Sequence, residues 1–334
     1  MSLPARIGHQ IERVWWGVIR RLIPHLPVSL LRRIGTLMSR TRAVGPFPGW
    51  RFAIEERHPT SRIVARQKLW SHFKALDVQQ PVRIRWVEAL KLNLVLGNDQ
   101  SRCLFVCGSF EPNEFAFLQR ALTRGAVFID IGANEGFYTV FAARLVGPRG
   151  RVIAVEPSAR EHARLESNVA INCLSNVSLV RCGLGARRGK ALLHIADPEH
   201  NGQNTLGDFA HAGVTAVDHV EIDLIDLDSL TQEQVLRKVD VIKMDVEGAE
   251  FEVIKGGLKT LERYQPTLLF ELFEGALRQQ GTSAEAVLAQ LAELGYSFYA
   301  FSDTTGLPEP LEKLDSNSQN IVAVHRSRPL AAEA

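Results

Sequence analysis

The run Val127-Phe128-Ile129-Asp130-Ile131-Gly132-Ala133-Asn134-Glu135-Gly136 constrains this chain more than any other stretch. Five mostly β-favouring residues enter a glycine-bracketed turn, after which Phe137, Val140, Phe141 and Leu145 recur at helical spacing. Strand, glycine turn and helix N-terminus in that order make an anion- and nucleotide-binding corner of α/β folds. A second apolar run, Val152 to Val155, ends in Glu156. The tip of the second strand is where an acid grips a ribose hydroxyl pair. The two features together constrain the fold far more than either alone.

The turn also bears on which nucleotide. A dinucleotide fold needs G-x-G-x-x-G so that backbone can press against a pyrophosphate. This chain has D-x-G-x-x-x-G, with Asn134 at the place of the second glycine. An inward-facing acid at Asp130 repels a pyrophosphate and suits a ligand bearing an ammonium or sulfonium. That chemistry points to S-adenosylmethionine, which carries a ribose, a sulfonium and an amino-acid tail but no phosphate. The plainer alternative is an α/β turn in which the glycines only relieve steric crowding.

A length of 334 residues with 46% apolar content permits one large or two modest domains with a proper core. The net charge of +2 is unevenly spread. Arginines 6, 13, 20, 21, 32, 33, 40, 42 and 51 face the single acid Glu12 up to Arg51, which leaves the remainder net acidic. That balance argues against a nucleic-acid binder. Cys103, Cys107, Cys173 and Cys182 form no C-x-x-C pair, so they read as reduced thiols of a cytoplasmic protein. No stretch reaches the roughly 18 apolar residues of a membrane span, and the N-terminus lacks a signal-peptide layout.

Three segments follow from the pattern. Residues 1–48 form a basic helical appendage: Ile7, Ile11, Val14, Trp15, Val18, Ile19, Leu22 and Ile23 share one helical face, and Pro24 and Pro27 break the helix. Such a helix either packs on protein, its own core or another subunit, or lies peripherally on an anionic inner membrane face. Gly45-Pro46-Phe47-Pro48-Gly49 reads as a linker. Residues 50–123 lead into the core, with one or two strands between Val82 and Leu96, a turn at Gly97-Asn98-Asp99 and a helix from Glu114 to Leu122. Residues 124–330 are the core. Strands are expected at 126–131, 151–155, 177–182, 239–245, 266–271, 295–301 and 320–325, and helices at 137–146, 158–172, 249–262 and 283–294. This alternation implies an α/β fold with a mostly parallel sheet and helices on both faces. Two further strands, 190–195 and 219–224, flank a polar loop, 197–218, expected to cover the site.

Asp240-Val241-Ile242-Lys243-Met244-Asp245-Val246-Glu247-Gly248-Ala249-Glu250 is the second chemical cluster. Asp245 and Glu247 fall at the carboxyl end of a strand, on the cleft side with Asp130 and Glu156. Paired carboxylates shift one another's pKa and supply a general base. Two acids alone fix no metal geometry, so no metal ligand is assigned. The same acids also suit capping of the next helix. His200, in the loop His200-Asn201-Gly202-Gln203-Asn204-Thr205, is a second candidate for taking a proton, and Asn204 for orienting a hydroxylated substrate. Glu271, at the end of the strand after Thr267, is a candidate for the cleft wall.

The stretch from about Asn93 to Glu274 resembles the FkbM-type family of S-adenosylmethionine-dependent methyltransferases. The matching pieces are Val127 to Gly136, Ala154-Val155-Glu156-Pro157-Ser158, Asn204-Thr205 and Ile242 to Glu250, the last being the most specific. The resemblance implies a class I methyltransferase (Rossmann-like) fold with a seven-stranded sheet, one strand of it antiparallel. It implies O-methylation of a hydroxyl on a small molecule: a sugar, glycan or secondary metabolite. Asp130, Gly132, Asn134 and Gly136 then belong to the cofactor turn, Glu156 to the ribose, and Asp245 and Glu247 to the acceptor side. Glu135 departs from the family, where a small or apolar residue is common. Two rival readings stand beside this one. One is an NAD-dependent oxidoreductase or epimerase; the other is a non-catalytic scaffold docked through its basic N-terminus.

Overall fold

The computed structural model describes residues 17–18, 21–38, 61–314 and 319–330. Most of the expected amphipathic helix and the whole expected linker lie outside these residues. The chain divides into two compact units that meet in sequence at Pro112 and Asn113.

The first unit contains helix α1 (Val28–Met38), helix α2 (Ser61–Ala75), strands β1 (Val82–Arg85) and β2 (Lys91–Leu94), and helix α3 (Asp99–Cys107). The two strands pair antiparallel, Val82 opposite Leu94 and Ile84 opposite Leu92, with these four side chains buried. Arg83 and Arg85 alternate outward, as a one-sided sheet requires. Residue 98, expected in a turn, caps α3: the Asn98 side chain accepts from the Ser101 amide at 2.7 Å. Helix α1 is pinned to the hairpin through Thr36, whose hydroxyl donates to the Arg83 carbonyl at 2.6 Å. No described helix is long and apolar enough to cross a membrane.

The second unit carries the sheet. After helix α4 (Pro112–Ala121) come β3 (Val127–Ile131), α5 (Phe137–Val146), β4 (Arg151–Val155), α6 (Ala159–Ile171), β5 (Val177–Val180), β6 (Gly183–Leu184), β7 (Gly189–Ala196) and β8 (Ala216–Ile225). Then follow α7 (Leu227–Glu233), β9 (Val241–Met244), α8 (Glu250–Lys255), α9 (Leu258–Tyr264), β10 (Thr267–Leu272), α10 (Glu274–Gln279), α11 (Ala284–Glu293), β11 (Tyr296–Phe301), β12 (Pro308–Pro310) and β13 (Gln319–His325). The main sheet runs β12-β11-β13-β10-β9-β3-β4-β5. Strands β5, β4, β3, β9 and β10 are parallel, and β13 is antiparallel to both β10 and β11.

The expected seven strands are therefore eight. The extra one, Pro308–Pro310, pairs antiparallel with β11 at the sheet edge. Two prolines in three residues hid it, and an edge is where proline can sit in a sheet. The helix expected over 249–262 is two, α8 and α9, because Gly256 and Gly257 lie against Gly185 and Leu227, closer than a Cβ allows.

Alternation within the strands sorts the two faces. Ile129 and Ile131 of β3 and Ile242 and Met244 of β9 enter one large core with Val253, Leu268, Phe270 and Leu291. Asp130 and Lys243, which are register partners, project to the opposite face, where they meet Thr139 and Tyr138 of α5.

Candidate active site

The cleft is built where β3, β4 and β9 end. The chain leaves β3 through Gly132, whose φ is +75°. A Cβ there would lie 1.8 Å from the Asp245 carbonyl oxygen, so only glycine lets the ends of β3 and β9 approach this closely. The amides of Gly132 and Ala133 both donate to the Val155 carbonyl at 3.0 Å, which ties the turn to β4. Gly136, with φ +84°, opens α5 and sits against Leu165 of α6.

Glu156 follows β4 directly and is 5% exposed. Its Oε2 accepts from the Asn134 amide and its Oε1 from the Ser158 amide, each at 2.9 Å. Burial pushes its pKa up to about 8, against the pull of those amides. Each oxygen keeps acceptor capacity for a hydroxyl.

At the other end of the cleft Asp245, Glu247 and Glu271 bring carboxylate oxygens within 4.8 Å of one another. Lys243, 7% exposed, donates to Asp245 Oδ2 at 2.8 Å. Its ammonium also stands 4.9 Å from the centre of the Tyr138 ring, which stacks on Phe115 at 4.3 Å. Burial, with the charges of Asp245 and Glu250, raises the Glu247 carboxyl well above its ordinary range. His211 reaches this group from the covering loop. Its Nε2 is 3.6 Å from Glu247 Oε2, and its ring stacks on Phe273 at 4.5 Å. Three carboxylates fix no coordination number, and here the Lys243 ammonium already compensates one of them.

The loop over the cleft is held by buried polar contacts. Asn201, 2% exposed, donates to Glu135 Oε1 at 3.0 Å, and Arg164 reaches the same oxygen at 2.9 Å. Asn204 accepts from the Ala196 amide at 2.9 Å and donates to Glu161 at 3.1 Å. The Thr205 hydroxyl donates to the Glu247 carbonyl at 2.9 Å. Glu135, the departure from the family pattern, is thus an anchor of the loop rather than a ligand of the cleft.

Of the residues singled out in the sequence, Gly132, Asn134, Glu156, Asn204, Asp245 and Glu247 line the cleft. Glu271 joins the acid cluster. Asp130 and Gly136 are not among the lining residues. The Asp130 carboxyl is fully buried beneath α5, accepts from the Thr139 hydroxyl at 2.5 Å, and is raised in pKa by burial. It sits on the strand face opposite to Ile131, so it supports the turn from behind. His200 also falls outside the lining, its Nδ1 lying 3.0 Å from both Asp197 oxygens. Lys243 and His211 were missed. A lysine inside an apolar strand next to an acid was a readable signal; His211 lies in a patternless loop and gave none. Cys182 lines the cleft too, with its thiol pushed up to about 11 by burial, which makes it a poor nucleophile.

The charge of the lining discriminates among ligands. Among the described residues, Glu156, Asp245 and Glu247 are its ionisable oxygen groups, and no lysine, arginine or histidine lines it. Such a lining fits a phosphate-free ligand with a ribose at one end and positive charge near the other.

Read from β5 to β11, the core strand order with a single reversed strand, β13, and an acid at the tip of β4, defines a class I methyltransferase fold. The family model described as Methyltransferase FkbM domain matches residues 130–298. The chain belongs to that family. It is 30% identical over 157 residues to Methyltransferase sdnD of Sordaria araneosa, covering 38% of this chain and 59% of that protein. It is 28% identical over 167 residues to 2-O-methyltransferase NoeI of Sinorhizobium fredii (strain NBRC 101917 / NGR234), covering 45% of this chain and 67% of that protein. The chain therefore spans only about three fifths of the first of these relatives. Among solved structures, Methyltransferase FkbM from Methylobacillus flagellatus KT aligns over 92% of this chain and 60% of its own, at 15% identity and a TM-score of 0.38.

Proposed function

We propose that the protein is an O-methyltransferase that uses S-adenosylmethionine to methylate a hydroxyl of a sugar, glycan or secondary metabolite. The observation that carries this reading is the cleft lining: a buried acid at the ribose position, two more acids at the far end and, among the described residues, no cation. A pyrophosphate would enter that lining uncompensated, which weighs against the dinucleotide reading. The relative named as a 2-O-methyltransferase supports an oxygen acceptor.

S-adenosylmethionine, when bound, supplies an electrophilic methyl group. The chain's own part is positioning and removal of one proton. Glu156 accepts the ribose hydroxyls, and the acids at the other end face the sulfonium and amino-acid tail. Asp245, oriented by Lys243, presents its remaining acceptor capacity to the acceptor hydroxyl. Glu271 joins the acids on that side, and Asn204 lines the cleft from the covering loop.

Calorimetric titration of the full chain with S-adenosylmethionine and with NAD tests the reading. S-adenosylmethionine is expected to bind and NAD not to. Glu156→Ala is expected to weaken S-adenosylmethionine by at least ~10-fold, the scale of one charge-assisted hydrogen bond in a buried site. Binding of NAD alone, or equal affinity of the variant, rejects it.

A further inference from the structure

We propose that His211 is the general base of the methyl transfer, held at the reacting oxygen by Glu247 and Phe273. The proposal rests on the methyl-transfer reading above and adds to it the group that removes the proton.

Four observations converge on this residue. Glu247 and Asp245 line the cleft at the end away from Glu156, where the proposed reading puts the sulfonium. Of the acids there, Asp245 is engaged by the Lys243 ammonium at 2.8 Å, which occupies its Oδ2. The Glu247 carboxyl is raised well above its ordinary range, first of all by burial, which favours its protonated form. His211, by contrast, is pushed below its ordinary range by burial, so at neutral pH it is a free imidazole.

The geometry fixes the ring. Phe273, just before α10, stacks against one face at 4.5 Å, and Glu247 Oε2 stands 3.6 Å from Nε2. The side chain keeps 30% exposure, so its outer edge is accessible to an acceptor coming from solvent. The charged groups that face it are Glu247 at 3.6 Å and Asp245, the latter paired with Lys243 and clustered with Glu271. Neither histidine lines the cleft itself, but His211 stands beside the lining residue Glu247, whereas the His200 Nδ1 faces Asp197.

The transfer balances as follows. The acceptor oxygen forms a bond to the methyl carbon as the carbon–sulfur bond breaks, its electron pair staying on sulfur. The acceptor's proton passes to the His211 nitrogen turned away from Glu247. The resulting imidazolium lies in the field of Asp245, which raises its proton affinity. Proton exchange with water through the exposed edge then regenerates the base.

A base at the transferring methyl must sense the sulfonium charge, and this can be read without knowing the acceptor. The probes are S-adenosylmethionine and S-adenosylhomocysteine, which differ by a methyl group and a positive charge on sulfur. Histidine ring resonances of the full chain are followed against pH with each probe, and the His211 signal is assigned by its loss in His211→Gln. The expected result is a His211 midpoint lower with S-adenosylmethionine than with S-adenosylhomocysteine by roughly half a pH unit or more. The remaining histidines should not distinguish the probes. Identical His211 titrations with both bound probes overturn the proposal. Failure of either probe to bind, seen by calorimetry, rejects the methyl-transfer reading itself.

Turnover gives the second arm, with any methyl glycoside that the wild type methylates from labelled S-adenosylmethionine. His211→Ala should lose roughly 100-fold or more in kcat, keep its KM for S-adenosylmethionine within about twofold, and recover part of its rate with added imidazole. An unchanged kcat, or a loss that imidazole leaves untouched, counts against a base at this position.

Discussion

Gly132 is the residue on which the two ends of the cleft depend. Its missing side chain lets the β3 turn lie against the Asp245 carbonyl, so the ribose-side turn and the acid cluster share one contact. Gly132→Ala would place a carbon 1.8 Å from that oxygen in a backbone conformation with φ +75°. Neither neighbour is a flexible side chain, so the strands must separate. The expected cost is about 3 kcal/mol or more, seen as a lower urea midpoint with unchanged m-value, together with weaker cofactor binding. A midpoint within error of the wild type would show that the strand ends are not packed this tightly. At this scale much of the cleft lining was legible. Gly132, Asn134, Glu156, Asp245 and Glu247 carry their meaning in local spacing, because strand tips and the turns after them are written contiguously. Asp130, expected in the cofactor turn, lies outside that lining: one residue before the strand end, it points to the face opposite Ile131. His211 was invisible because its partners, Glu247 and Phe273, come from other segments of the chain and nothing near it in sequence predicts the meeting.

At the scale of elements, the covering segment between β7 and β8 decides access. It is polar, yet two of its asparagines are tied down through buried carboxylates, Asn201 through Glu135 and Asn204 through Glu161. Glu135 and Glu161 are each within 1% of full burial and share Arg164, so the network balances charge as well as hydrogen bonds. Asn201→Ala removes one donor and leaves Arg164 and the Asn168 contact to the Glu135 backbone in place. The expected effect is local: about 1–3 kcal/mol from the lost buried contact, read as faster amide exchange over 197–206 and little change in the sheet. Uniform exchange changes throughout the second unit would instead mean that the network supports the whole core. The sequence marked this segment as a loop over the site because polar residues interrupt the strand–helix alternation. It could not reveal the anchoring, since Glu135 and Glu161 look like ordinary helix-end and helix-surface acids until the fold buries them. The eighth strand escaped for the opposite reason: Pro308–Pro310 has no pattern of its own and is a strand only because β11 presents a free edge.

Across the whole molecule, the concentration of acids in one cleft has a cost that pH exposes. Glu156 is raised to about 8 and Glu250 to about 7, both first of all by burial, and Glu247 is raised as well. In each case the folded chain holds a proton that the unfolded chain releases near pH 4.5. Their contribution is therefore full below pH 4.5 and is lost as pH rises through 7 and 8. The histidines pull the other way at lower pH: His162, His211 and His325 are all lowered by burial, so their protonation favours unfolding below about 6.5. Above that value the histidines are neutral in both states and the carboxyls alone set the slope. Above pH 6.5 the protein without ligand should therefore lose stability, by about 2 to 3 kcal/mol from Glu156 and Glu250 by pH 8 to 9, or roughly 5 °C or more in Tm. Glu156→Gln should flatten that decline, because an amide has no proton to lose. A thermal-melt series from pH 6.5 to 9 on both proteins measures it. A flat wild-type profile, or parallel profiles for the two, would mean that the Glu156 carboxyl is already ionised at neutral pH and that the cleft is wetter than its packing indicates. If the decline is found, S-adenosylmethionine should reduce it, since ribose hydroxyls donated to Glu156 and a cation near Asp245 both favour the ionised acids.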